Sequence, residues 1–202
     1  MTAMRYEGLV KAPPHADAPL VFAFHGTGGD EHQFFDLAQQ INPGSGVVSP
    51  RGDVTEFGAR RFFKRTGEGI YDMADLARAV EKLAHYVRSF DHRGPVYGFG
   101  YSNGANVLAA TIMQYPKLFD RVGLLHPLIP WQPDPVDLSD KTVLITAGRQ
   151  DPITPWSESE RLVAWFEEQG ANVSRVSHGG GHEIRPAELS ALTQLLSEPV
   201  AV

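Results

Sequence analysis

The 202-residue sequence predicts an α/β domain, with a mainly parallel central sheet and helices on both faces. Two observations predict it. Short apolar runs alternate with stretches of helical periodicity, the pattern of a sheet whose strands are joined by crossover helices. Polar, glycine-rich sequence gathers where the apolar runs end, and sheets of this kind bind ligands beyond the carboxyl ends of their strands.

Taken in order, "APLVFAFHG" is a short apolar run closed by glycine and reads as a buried strand. "DEHQFFDLAQQI" reads as a helix with Asp30 as N-cap and Gln33 at capping-box spacing. "SGVVSP" reads as a second strand. "RGDVTEFGARRFFKRTGEG" has no clean period and reads as a long loop, a length that is often functional. "YDMADLARAVEKLAHYVRSF" places Leu76, Ala79, Val80, Leu83, Tyr86 and Val87 on one helical face with charge opposite. Then follow strand "PVYGFG", helix "NGANVLAATIMQY", strands "RVGLLH" and "KTVLITAG", helix "ESERLVAWFEEQG", strand "ANVSRVSH" and helix "PAELSALTQLLSE". No repeat or low-complexity segment divides the chain, so residues 1–202 are expected to form one domain.

Bulk properties exclude several functions. The net charge of −6 disfavours nucleic acid or an anionic membrane surface as partner. No apolar run reaches the ~18 residues of a membrane span. The N-terminus lacks the apolar core of a secretory signal, so the cytoplasm is the expected compartment. The absence of cysteine excludes disulfides, thiolate metal sites and a cysteine nucleophile.

Four strand ends converge on one edge: His25-Gly26-Thr27-Gly28-Gly29, Gly100-Tyr101-Ser102-Asn103-Gly104, Gly148-Arg149-Gln150-Asp151 and Gly179-Gly180-Gly181-His182. In G-x-S-x-G between a strand and a helix, the glycines relieve a tight turn and the serine projects above the sheet. A serine there needs a base within reach, which makes Ser102 the candidate nucleophile. His182 is the favoured base; His178, before the glycines, competes with it. Asp151 would orient that histidine, although "DPITPW" is also good turn sequence and both roles can hold. The order Ser102, Asp151, His182 is the nucleophile, acid, base order of an α/β-hydrolase. Oxyanion donors are expected from the N–H of Asn103 and, in "HGTGG", of Thr27. As a phosphate cradle "HGTGG" lacks the Lys-[ST] ending and the dinucleotide spacing. His25 reads as a structural hydrogen-bonding residue.

"FHGTGGDEHQF", "GYSNGAN", "TAGRQDPITP" and "GGGHEI" resemble the carboxylesterase/phospholipase family of α/β-hydrolases, which includes acyl-protein thioesterases. The resemblance is closer to a bacterial carboxylesterase subgroup linked to hydroquinone and quinone stress, which also carries R-F-F-x-R. It runs from Val21 to Arg185 and implies a single-domain α/β-hydrolase fold without a large cap. It also implies a Ser102–Asp151–His182 triad, with Thr27 and Asn103 at the oxyanion hole. "YSNGAN" and "RRFFKR" depart from the thioesterase members.

The substrate pocket is read from Arg61, Phe62 and Phe63 in "RRFFKR" and from Leu128, Ile129 and Trp131 in "HPLIPW". The phenylalanines would wall an acyl or aromatic group and Arg61 would attract an acidic substrate; the competing reading puts the phenylalanines in the core and pairs the arginines. The expected function is hydrolysis of small soluble carboxylic esters. Lysophospholipase or thioesterase activity, and a non-catalytic binder on the same fold, stand as alternatives. No metal or organic cofactor is called for. Apolar residues at Phe34, Phe35 or the last helix offer a surface for a homodimer.

Overall fold

The five residues Leu20–Phe24 (β2) show how the sequence builds its centre. All five side chains are buried, and successive ones point to opposite faces of the sheet. Leu20, Phe22 and Phe24 enter one apolar core, while Val21 and Ala23 enter another. A strand that feeds two cores must be covered on both sides.

The computed structural model describes residues 5–67 and 69–197. Around β2 lie β1 (Gly8–Lys11), α1 (Phe35–Ile41) and β3 (Gly46–Pro50). Four short strands follow: β4 (Val54–Glu56), β5 (Ala59–Arg61), β6 (Arg65–Gly67) and β7 (Ile70–Tyr71). The remaining elements are α2 (Met73–Arg88), β8 (Val96–Tyr101), α3 (Asn103–Gln114), β9 (Arg121–Leu125), β10 (Thr142–Gly148), α4 (Trp156–Glu168), β11 (Asn172–His178) and α5 (Pro186–Ser197). The main sheet runs β1-β3-β2-β8-β9-β10-β11. Its pairings are parallel except β1 with β3. Helices α2, α3 and α4 supply the core that holds Phe22. Helices α1 and α5 supply the core that holds Val21, where Phe34 packs edge-on against Phe99.

The register places the functional edge. Phe24 pairs with Gly100, Tyr101 with Leu125, Leu125 with Thr146, and Gly148 with His178. The strands therefore end together, and the segments after β2, β8, β9, β10 and β11 emerge side by side. Between β9 and β10 the described chain forms neither helix nor strand, so no cap domain is inserted there. Among the described residues, no helix is long and apolar enough to cross a membrane.

Three local expectations change. The helix expected from Asp30 begins at Phe35. Asp30 Oδ1 instead accepts the His32 N–H in a turn, and Gln33 Oε1 accepts the Gly26 N–H at 2.9 Å, so Gln33 braces the glycine loop rather than capping a helix. The long loop from Arg51 folds into two hairpins, β4–β5 and β6–β7, too short to show a period. The antiparallel edge strand β1 was not foreseen, because its half-exposed "GLVK" lacks an apolar run.

Candidate active site

Between β8 and α3 the chain reverses within one residue. Ser102 has φ 52° and ψ −117°, a conformation an L-residue reaches only at a cost of ~1–3 kcal/mol. The surrounding packing forces it. A Cβ on Gly100 would sit 2.6 Å from the Gly104 carbonyl carbon, and one on Gly104 would sit 2.5 Å from the carbonyl oxygens of Phe24 and His25. Only glycine lets β8, the start of α3 and the end of β2 approach this closely. The Ser102 N–H donates to the Leu125 carbonyl at 2.9 Å, anchoring the turn to β9.

Ser102 Oγ lies 2.9 Å from His182 Nε2, and His182 Nδ1 lies 2.6 Å from Asp151 Oδ2. Asp151 Oδ1 accepts the N–H groups of Ile153 and Thr154 at 2.8 and 3.0 Å, so the turn reading and the orienting geometry coexist. Burial alone would raise the Asp151 pKa. The Thr154 N–H, His182, the Ile153 N–H and His126 outweigh it and hold the carboxyl below its ordinary value. The Tyr101 hydroxyl donates to the His182 carbonyl at 2.6 Å and fixes the histidine loop. His178, the competing candidate, lies elsewhere: its Nδ1 accepts the Gly180 N–H at 3.0 Å and its Nε2 faces Glu188.

In the loop after β2, the N–H groups of Gly26, Gly28 and Gly29 are engaged by Gln33, Arg60 and Gly26. The Thr27 N–H has no acceptor among the described residues. Thr27 and Asn103 both border the cavity that holds Ser102. His25 is buried; its Nδ1 donates to the Gly26 carbonyl and its Nε2 accepts the Gly52 N–H, leaving it neutral and out of reach as a second base. Burial lowers its pKa in accord with that.

The cavity has a volume of about 250 Å³. Arg61, Arg65, Tyr71, Leu128 and Ile153 contribute to its wall. Arg61 Nη1 donates to Thr27 Oγ1 at 2.7 Å, and both arginines pair with one carboxylate, Glu56, at 3.2 and 3.3 Å. Phe62, Phe63 and Ile129 do not line it. Phe62 is fully buried against Phe24 and the His25 ring, Phe63 is fully buried against Tyr71, and the Ile129 side chain is 3% exposed. They form the core behind the wall, where apolar burial is largest.

Comparison with known proteins then supplies the relationship. No family model matches the chain. The chain is 33% identical over 187 residues to the putative hydrolase MhqD of Bacillus subtilis (strain 168), covering 90% of this chain and 94% of that one. The chain belongs to the carboxylesterase/phospholipase family of α/β-hydrolases. A carboxylesterase from Bacillus cereus superposes with a TM-score of 0.88 at 32% identity, over 96% of this chain and 93% of that one. The protein Atu2452 of Agrobacterium tumefaciens str. C58 superposes with a TM-score of 0.92 at 47% identity, over 98% of each chain. The protein is a carboxylic ester hydrolase.

This α/β-hydrolase carries polar groups that sequence reasoning did not single out. His126, in "HPLIP", is fully buried, with Nδ1 3.1 Å from Asp151 Oδ2 and Nε2 3.0 Å from Glu188 Oε2. Its position at a strand end was the available signal; Glu188 gave none, because "PAELS" reads as an ordinary helix start. Asn106 accepts the Leu128 N–H and donates to the Tyr71 hydroxyl, which donates to the Leu128 carbonyl, so three elements are locked around the cavity. Two clusters, His126–Asp151–His182 and His126–His178–Glu188, bring metal-type ligand atoms within 4.8 Å of one another. Contacts among their own nitrogens and oxygens account for both.

Proposed function

We propose that this carboxylic ester hydrolase cleaves small, soluble esters through a Ser102–His182–Asp151 triad and an acyl-enzyme. The observation that carries the reading is the continuous hydrogen-bond chain from Ser102 Oγ through His182 to Asp151, with Ser102 held on a strained turn. A serine activated in this way attacks an ester carbonyl.

His182 Nε2 removes the Ser102 proton as Oγ bonds to the carbonyl carbon. The oxyanion is held by the N–H groups of Asn103, at the start of α3, and Thr27. The tetrahedral adduct collapses, its C–O bond to the alcohol breaks, and His182 returns the proton to the departing oxygen. Water, deprotonated by His182, then attacks the acyl carbon, and the C–Oγ bond breaks as Ser102 regains a proton. Each oxyanion donor is worth on the order of 10²–10³ in rate.

The cavity volume, about 250 Å³, favours short acyl groups. Its wall carries the polar side chains of Arg61 and Arg65, both paired with Glu56, which favours polar esters over lipid chains. The experiment is hydrolysis of aryl esters from acetate to octanoate by wild type and Ser102→Ala, with chelator present. The expected result is a short-chain preference lost by about four orders of magnitude in the variant. The wild-type rate should fall on the acid side of its profile, because a protonated histidine cannot act as the base. Equal rates in the two proteins overturn the triad, and rates climbing steadily to octanoate overturn the small-ester reading in favour of a lysophospholipase or thioesterase.

A further inference from the structure

Resting on the triad reading above, the geometry points to His126 as a positioning residue: a buried cation, clamped between Asp151 and Glu188, that limits how strongly Asp151 holds the proton of His182.

A neutral imidazole has one N–H and one lone pair. Both His126 nitrogens face carboxylate oxygens, Asp151 Oδ2 at 3.1 Å and Glu188 Oε2 at 3.0 Å. A neutral ring would aim its lone pair at one of them inside a site without solvent; an imidazolium satisfies both. Burial by itself would lower the His126 pKa, but Glu188 and Asp151 outweigh it and raise it. Glu188 is held below its ordinary value, with His126 the largest influence acting against burial.

The second observation is the backbone. Three non-glycine residues have positive φ, among the described residues: Phe57, Ser102 and His126. Phe57 is fully exposed at the tip of the β4–β5 hairpin. Ser102 and His126 both lie at the functional edge, at φ 52° and 51°, and the Ser102 N–H bonds to the residue just before His126. Strain of that kind persists where surrounding structure fixes it. At His126 it aims the ring between two carboxylates rather than into the apolar core beneath.

The titratable groups around the ring come from every neighbouring element. They are Tyr101 of β8, Asp151 after β10, His178 of β11, His182 before α5, and Glu188 of α5, with the ring centroids of Tyr101, His178 and His182 at 5.9, 5.5 and 5.2 Å. His178 uses Nδ1 to accept the Gly180 N–H, so its proton sits on Nε2, which faces Glu188 Oε1 at 3.0 Å, and the ring is neutral. The cluster behind His182 thus holds two carboxylates and one cation. Its net charge of about −1 supports the imidazolium that His182 becomes during attack. With a neutral residue at 126 the net negative charge behind His182 would grow, and the imidazolium would persist to higher pH, where it cannot take a proton from Ser102.

The variant His126→Asn, which leaves both carboxylates in place, tests this. Asparagine tolerates the left-handed backbone and places its amide nitrogen near the Nδ1 position, keeping a donor on Asp151. The expected result is an acid limb of kcat/KM displaced upward by about one pH unit. An unmoved limb overturns the proposal even if the plateau rate falls, since a merely structural role lowers the rate at every pH alike. If the variant does not fold, the wild-type ring is read directly by ¹⁵N NMR without substrate, its signals identified by contacts with Tyr101. Two ring N–H groups on His126 at pH 7 support the proposal; a single N–H overturns it. Failure of the triad reading is separate, because it appears in the Ser102→Ala rates and leaves the protonation of His126 as measured.

Discussion

The two flanks of the Ser102–His182–Asp151 chain are made of different material. The Ser102 flank is backbone: β2, β8 and α3 press together, and Gly100 and Gly104 leave no room for a methyl group. The Asp151 flank is side chain: His126, Asp151 and Glu188 are buried and hold one another by paired charge. The first flank is rigid because nothing can move without a clash. The second keeps its geometry only while its protonation states are right. Shape thus fixes where Ser102 stands, and charge holds the Asp151 flank together.

Gly104→Ala should break the first flank and give the largest effect. Its new Cβ would meet the carbonyl oxygens of Phe24 and His25 at 2.5 Å, and backbone cannot swing aside as a side chain can. The end of β2 would have to shift, carrying Thr27 with it. A loss of about 3 kcal/mol is expected, together with at least a hundredfold drop in kcat if the proposed oxyanion donors lose alignment. Thermal melting and ester hydrolysis on the same preparation check this. A variant with the wild-type melting temperature would mean the turn is less crowded than its geometry indicates.

Glu188→Gln sharpens the contrast, because its effect should depend on pH where that of Gly104→Ala does not. Glu188 has a depressed pKa, so its stabilisation is present above the ordinary glutamate value, roughly 4.3, and is lost as pH falls through its folded value. His126 has a raised pKa, so its stabilisation is full below about 6.5 and is lost as pH rises through its folded value. Both contributions are complete only between roughly pH 4.5 and 6.5. The variant should therefore lose the most stability there, about 2 kcal/mol, and less at pH 9 or pH 3. Denaturant unfolding of both proteins across that range measures it. A penalty independent of pH would show that Glu188 acts through packing and not charge.

The same contrast explains what the sequence made legible. Crowded backbone leaves glycines at fixed spacing over a few residues, so the turn at Ser102 and the loop at Thr27 could be read directly from "GYSNG" and "HGTGG". Strands buried on both faces leave apolar runs, so β2, β8, β9 and β10 could be read as well. His126 and Glu188 are 62 positions apart, and neither neighbourhood carries a local mark of their contact. Phe62 and Phe63 show the opposite failure. Their place beside Arg61 suggested a pocket wall, yet the hairpin turns them into the core, because two fully buried phenylalanines contribute more beneath the sheet edge than in a small polar cavity. Gln33 stood at helix-cap spacing but was drawn to the Gly26 N–H, a tertiary bond that outcompeted a local one.

Thr27→Val carries the smallest expected effect and tests the boundary between the two kinds of construction. Under the proposed mechanism Thr27 contributes its N–H to the oxyanion, and valine retains that N–H with nearly the same shape. What valine removes is the Oγ1 acceptor for Arg61 Nη1, at 2.7 Å. Thr27 is exposed and Arg61 also pairs with Glu56 and the Phe63 carbonyl, so the loss should be ~1 kcal/mol. That corresponds to about a fivefold fall in kcat/KM on a neutral short-chain ester, with the pH limbs unmoved. A fall of two orders of magnitude would equal the removal of an oxyanion donor. It would place the hydroxyl itself in the oxyanion hole and make this loop, like the Asp151 flank, a site built from side chains.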